Sequence, residues 1–162
     1  MRDLTKRSRN IALVLCLAVL GTAIARADCQ HVVGNITEAI IPAPNDPLGR
    51  ALGNVNGVLN GADTAVITSS SPDGLSFTSF DLILTNRGDM LTANGAGTLT
   101  PVPGNSNQAT LNVTLTITGG SGKYTGATGT LTYEGLANLN TGTFFLTYRG
   151  SVCGVNVKAD GN

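Results

Sequence analysis

The sequence predicts an all-β chain closed into an antiparallel barrel of about eight strands, and three observations carry that expectation. Beyond residue 27, Thr, Gly and Asn supply 19, 20 and 14 of 135 residues, while Lys and Glu, the usual fillers of helix surfaces, occur twice each. Apolar residues recur with period two and nowhere hold a 3.6-residue period. Glycine-bearing turn chemistry breaks these runs at spacings of roughly 10 to 15 residues, the rhythm of an antiparallel meander. Seven to nine short strands of this kind are expected, and closure into a barrel hides their edges.

The first 27 residues read as a secretory signal. Arg2, Lys6, Arg7 and Arg9 form a basic start, 11–20 an apolar run, and Ala25-Arg26-Ala27 a small-x-small cleavage pattern. The uncharged stretch 10–25 is short against the roughly 20 residues that span a bilayer. Cleavage after Ala27 is therefore expected, leaving no membrane anchor and a single domain over 28–162 in a secreted or periplasmic compartment. The signal takes five of ten basic and one of ten acidic residues, so the remainder carries five and nine, a formal net charge of −4. No basic patch marks a nucleic-acid or anionic-membrane binder.

Cys29 and Cys153 stand at either end of that domain, in a compartment expected to be oxidising. An intramolecular disulfide is the favoured reading, with two free thiols or an intermolecular bridge as the alternatives. Next comes a strand-like stretch over 32–41, then 40–48, whose three prolines predict a long irregular loop. Further strands are read over 77–84, 128–133 and 143–152. The clearest is Leu111-Asn112-Val113-Thr114-Leu115-Thr116-Ile117-Thr118, aliphatic at every odd position and Asn or Thr at every even one. Turn chemistry falls at Pro72-Asp73-Gly74, Asn86-Arg87-Gly88-Asp89, Pro103-Gly104-Asn105, 119–122 and 138–142.

The segment Ile117-Thr118-Gly119-Gly120-Ser121-Gly122-Lys123-Tyr124-Thr125-Gly126-Ala127-Thr128-Gly129 packs five glycines into eleven residues between two strands. Such glycines supply positive-φ positions and close backbone approach for a turn and bulge, and Tyr124 is placed to tuck inward as a cap. A phosphate-cradling loop would need a helix to follow, whereas a strand follows here. Gly119, Gly120, Gly122, Tyr124, Gly126 and Gly129 thus report fold before chemistry. The segment resembles the I-T-G-G-x-G-x-[FY]-x-G-A-x-G signature of the allene oxide cyclase and dirigent protein superfamily. The strand before it, the 77–97 hairpin and the aromatic 143–150 strand are similar in order, so the resemblance covers about 53–150. It implies an eight-stranded antiparallel barrel of lipocalin-like shape.

Chemistry is sparse. His31 is the sole histidine, and no HExxH, GxSxG or CxxC occurs, which sets aside Ser-His-Asp hydrolases, multi-histidine metal sites and thiol oxidoreductases. No cofactor is implied. Allene oxide cyclases hold an apolar epoxide in the barrel and use a glutamate of the first strand; dirigent proteins hold reactive intermediates beside acidic proton donors. The resemblance makes Glu38, on the face shared by Ile36 and Ile40, the one catalytic candidate. A surface carboxylate is its simpler reading, and Asp81, Arg87, Asp89 and Glu134 are expected to be solvated or turn-forming. The plant enzymes line their cavities with aromatics, whereas 28–162 holds four Phe, three Tyr and no Trp, and its aliphatics are able to fill a narrow barrel. The foremost expectation is a barrel binding a small apolar ligand without transforming it. A filled structural barrel and a cyclase or isomerase are the alternatives, and a cavity decides among them.

Overall fold

In the computed structural model, residues 28–155 are described; 1–27, expected to be a signal, and 156–162 lie outside them. Eight strands follow one another: β1 Cys29–Ala43, β2 Asp46–Gly57, β3 Gly61–Ser70, β4 Ser76–Thr85, β5 Met90–Val102, β6 Asn105–Ser121, β7 Thr128–Asn138 and β8 Thr143–Cys153. Each pairs antiparallel with the next, and β8 returns to pair with β1, so the sheet closes as a barrel in sequence order. The alternation read in β6 is realised: Leu111, Val113, Leu115 and Ile117 are buried, and Asn112, Thr114, Thr116 and Thr118 face out. Each aliphatic withdrawn from water in this way contributes about 1.5–3 kcal/mol before entropy is counted.

An up-and-down order puts the β1–β2, β3–β4, β5–β6 and β7–β8 turns at one end, and the other turns with both chain ends at the opposite one. The second end is plugged. Val32, Leu59, Leu91, Tyr124, Leu131, Tyr148 and Val152 fill it, all essentially without solvent exposure. The glycine-rich segment lies here. Thr118 is the extra residue of a bulge between Ile117 and Gly119, opposite Ala93 and Thr92, and Gly122–Tyr124 forms one 3-10 turn. At Gly122, φ is +61°, and a Cβ would collide with the Asp89 carboxylate. At Gly120 a Cβ would collide with the Met90 carbonyl, so the segment requires glycine for left-handed backbone and for close approach alike. Tyr124 is buried as the cap, with Lys123 Nζ 4.8 Å from its ring centroid.

The Tyr148 hydroxyl accepts a 2.8 Å hydrogen bond from the Leu59 N–H, tying the β2–β3 turn to the plug. In Tyr148→Phe that buried N–H loses its acceptor, and urea denaturation should show a loss of about 1–3 kcal/mol. Unchanged stability would mean that the N–H finds water.

The long loop expected over 40–48 is instead a hairpin. β1 runs on to Ala43, residues 44–45 make the turn, and β2 begins at Asp46. The ladder steps from Ile41↔Arg50 to Ala43↔Asp46, so Pro42 and 47–49 are passed over by the pairing. Two of the prolines thus sit where the ladder skips residues, and the third, Pro44, is in the turn.

Candidate functional site

At the end away from the plug the barrel is open and holds a cavity of about 390 Å³. Its space comes from small inward residues: Ala51 and Gly53 on β2, Ala65 on β3, Gly95 and Gly97 on β5. The Phe77 ring lies over Gly97, its pairing partner across β4 and β5, where any Cβ would collide with it. Phe77, Leu99 and Phe144 pack half-buried as walls, and Ile40, Leu48 and Leu139 form an apolar rim. Backbone bonds hold the mouth: Ile40 N–H donates to the Gly142 carbonyl at 2.8 Å, and Leu99 N–H to that of Leu75 at 2.8 Å.

Deep in the barrel lie three carboxyl groups. Glu38, Asp63 and Asp81 are 7%, 2% and 3% exposed. Glu38 and Asp81 line the cavity, with the Ser79 and Tyr133 side chains beside them. The expectation of a surface Glu38 and a solvated Asp81 is therefore corrected. Alternation carries Glu38 inward with Ile36, as that strand's pattern requires. Asp81 goes inward because β4 presents its more polar face, Phe77, Ser79, Asp81 and Ile83, to the interior. Phe80 and Leu84, on its apolar face, are 40% and 46% exposed.

Register explains how two of the carboxyls meet. Gly53 pairs with Glu38 on one side and Asp63 on the other, so a residue without a side chain separates them. A Cβ at Gly53 would strike Glu38 Cγ. Over that gap each carboxyl shifts the titration of the other. Glu38 Oε1 and Asp63 Oδ1 are shut from solvent without a hydrogen-bond partner. Burial and the neighbouring Glu38 hold the Asp63 carboxyl well above its ordinary range. Burial also raises Glu38; the Asp63 side chain opposes this and the Asp81 charge adds to it. Tyr133 Oη donates to Asp63 Oδ2 at 3.3 Å, and burial with the carboxyls around it raises that phenol well above its usual value.

Asp81 is pushed from an ordinary 3.8 up to about 7, by burial first and by Asp63 second; the 2.6 Å hydrogen bond from Ser79 Oγ to Asp81 Oδ2 works the other way. A Cβ on Gly95 would collide with Ser79 Oγ and come within 3.0 Å of Asp81 Oδ2, so that glycine makes room for the pair. A carboxyl that titrates near neutrality beside an apolar cavity is equipped to accept or return a proton. Among the described residues no group of three or more His, Cys, Asp or Glu is arranged to hold a metal ion.

The other sequence candidates lie outside the cavity. Cys29 and Cys153 are bonded at the plugged end, where they face each other in the β1–β8 register with Cα atoms 3.9 Å apart. His31 is exposed nearby, its Nδ1 3.2 Å from Ser151 Oγ. Arg87 is exposed in the β4–β5 turn, and Asp89 accepts the Lys123 N–H at 3.1 Å, a turn-forming role as expected. Glu134 is on the outer surface, paired with Arg149 at 2.9 and 3.0 Å. Sequence reading missed Asp63 and Tyr133. The available signal was the set of inward positions on β3, Gly61, Asp63, Ala65 and Ile67, too mixed to fix which face is the inner one.

No family model and no curated protein matches this chain. Among solved structures it is similar to a pterocarpan synthase dirigent protein, at 10% identity and a TM-score of 0.35, over 79% of this chain and 86% of that one. The barrel described above rests on this chain's own strand order and register.

Proposed function

We propose that this is an exported barrel protein that binds a small, mainly apolar molecule in the open end of its barrel. The observation that carries the reading is the cavity, whose volume of about 390 Å³ falls in the range of ligand sites. Apolar walls, a rim tied by backbone bonds and a few convergent polar groups are what such a site needs. The volume also weighs against a barrel filled for structure alone. Export is supported by the pattern of the first 27 residues and by a disulfide that persists best in an oxidising compartment. N-terminal sequencing of the exported form should begin at Asp28, and retention of 7–20 would overturn that part. Membership of the allene oxide cyclase and dirigent superfamily belongs to the same reading and rests on the signature at 117–129.

The test is occupancy. Native mass spectrometry of protein purified from its own host should show a retained small molecule, and the neutral fluorophore N-phenyl-1-naphthylamine should bind the emptied barrel. Ala65 lines the cavity, and Ala65→Phe puts a ring into open space. It should weaken probe binding at least tenfold while leaving the melting temperature within a few degrees, because the added bulk displaces no packed side chain. Equal binding by that variant, or none by the parent, would count against a ligand cavity.

Asp81 favours a second reading, an isomerase or cyclase. One cavity carboxylate would take a proton from a substrate carbon and a neighbouring carboxylic acid would return one elsewhere, so no co-reactant is needed. Glu38 and Asp81 would share these roles. For a substrate found to turn over, Glu38→Gln and Asp81→Asn should each lower kcat by about 10²-fold or more; unaffected turnover in both would return the site to binding alone.

A further inference from the structure

Among the described residues, every charged group at the level of the cavity is an acid. Glu38 comes from β1, Asp63 from β3 and Asp81 from β4, and the Tyr133 phenol from β7 is the remaining titratable neighbour. At this level β2, β5, β6 and β8 turn only glycine, alanine and larger apolar residues inward. The cations among the described residues are placed elsewhere. Arg50 faces outward and pairs with Asp46 at 2.7 Å, Arg149 pairs with Glu134 outside, and Arg87, Lys123 and His31 lie at the plugged end. Among the described residues, then, protons, the Thr64 backbone N–H and the Ser79 and Tyr133 hydroxyls are what offset three carboxyls sunk in an apolar barrel. Glu38 lines the cavity from a nearly fully buried position, and its Oε1 has no hydrogen-bond partner among the described residues. Burying acids in this way is unfavourable unless something positive joins them.

We infer that the cavity's ligand carries one protonated amine on an apolar body, the ammonium seated against Asp81 and Glu38 and the hydrocarbon against Phe77, Leu99 and Phe144. This rests on the ligand-binding reading above and names its chemical class. An ammonium offers three donors, enough for the free acceptor capacity of both cavity carboxylates. In a site shielded from water its attraction to a carboxylate is far stronger than at a surface. A fatty acid would instead bring a fourth carboxylate against three.

The inference is tested with three probes of one chain length, n-octylamine, 1-octanol and octanoate, titrated calorimetrically into the purified protein at pH 8. The amine should bind at least tenfold tighter than the alcohol, and octanoate weakest. Proton and ammonium compete for Asp81, which titrates at about 7. Amine affinity should therefore fall by up to about tenfold per pH unit below 7, while that of the alcohol stays nearly level. Asp81→Asn should bring amine and alcohol to within about threefold of each other, and Glu38→Gln should narrow the gap partway, with thermal melts confirming that both are folded. If the alcohol binds as tightly as the amine, or octanoate binds tightest, the amine inference falls and the apolar cavity stands. If none of the three binds, the cavity reading falls with it.

Discussion

Reduction of the Cys29–Cys153 disulfide is expected to lower the stability of the folded barrel by about 4–5 kcal/mol, the chain-entropy value for a closed loop of this size. The reason lies in how the barrel closes. Of its eight seams, seven join strands adjacent in sequence, each closed through a short turn; the eighth, β1 to β8, joins the two ends of the domain. Bringing those ends together from the unfolded chain carries the largest loop entropy of any seam, and the covalent bond, 124 residues apart in sequence, removes it beforehand. The effect acts on the unfolded state, so the folded barrel should survive reduction: β1 and β8 stay paired from Cys29↔Cys153 to Ala39↔Thr143. The double variant Cys29→Ser/Cys153→Ser should keep the parent's circular dichroism at 25 °C. For a domain of this size its melting temperature should drop by roughly 15 °C. A drop of under about 3 °C would show that the seam's ladder, and not the bond, holds the ends together.

That bond was legible in the sequence because two cysteines beyond an apparent signal leave few alternatives. The barrel was legible because β6 alternates without a fault and because glycine segments mark the turns. The cavity floor was legible only in part. Glu38 shows as a candidate on its own strand through the face it shares with Ile36 and Ile40, but the strand alone left a surface carboxylate as the simpler reading. Its partner does not show. Asp63 reaches Glu38 across Gly53, two strands away, and that meeting depends on the register of β1, β2 and β3 together, which no single stretch encodes. β4 misleads outright. By hydrophobicity Phe80, Leu82 and Leu84 ought to point inward, yet the strand shows Ser79 and Asp81 to the interior and leaves Phe80 and Leu84 largely in solvent. A strand turned against its own hydrophobic pattern is a local conflict between sequence and fold.

The largest effect of that interior on the protein as a whole should be an inverted dependence of stability on pH. Most proteins gain stability as their carboxylates ionise; here the buried carboxyls do the reverse. Asp81 has a folded-state pKa near 7 against an ordinary 3.8, so between those values the folded state binds more protons than the unfolded one. Its contribution is fully present below about pH 4 and is lost as pH rises to about 7, a difference of about 4 kcal/mol at 1.36 kcal/mol per unit. Asp63 and Glu38 are raised as well and act in the same direction. Asp73 is lowered by its hydrogen bonds from Ser71 and Leu75 and acts oppositely, but it is fully exposed in the β3–β4 turn and its weight is slight. Urea denaturation at fixed temperature should therefore show the protein several kcal/mol more stable at pH 5 than at pH 8.5. Asp81→Asn keeps an oxygen to accept the Ser79 hydroxyl and carries no charge to bury. It should remove the Asp81 share of the slope, leaving that of Asp63 and Glu38, and exceed the parent in stability at pH 8.5. A parent whose stability rises from pH 5 to 8.5 would mean that water or a bound cation reaches Asp81 and leaves its carboxylate ionised in the folded barrel.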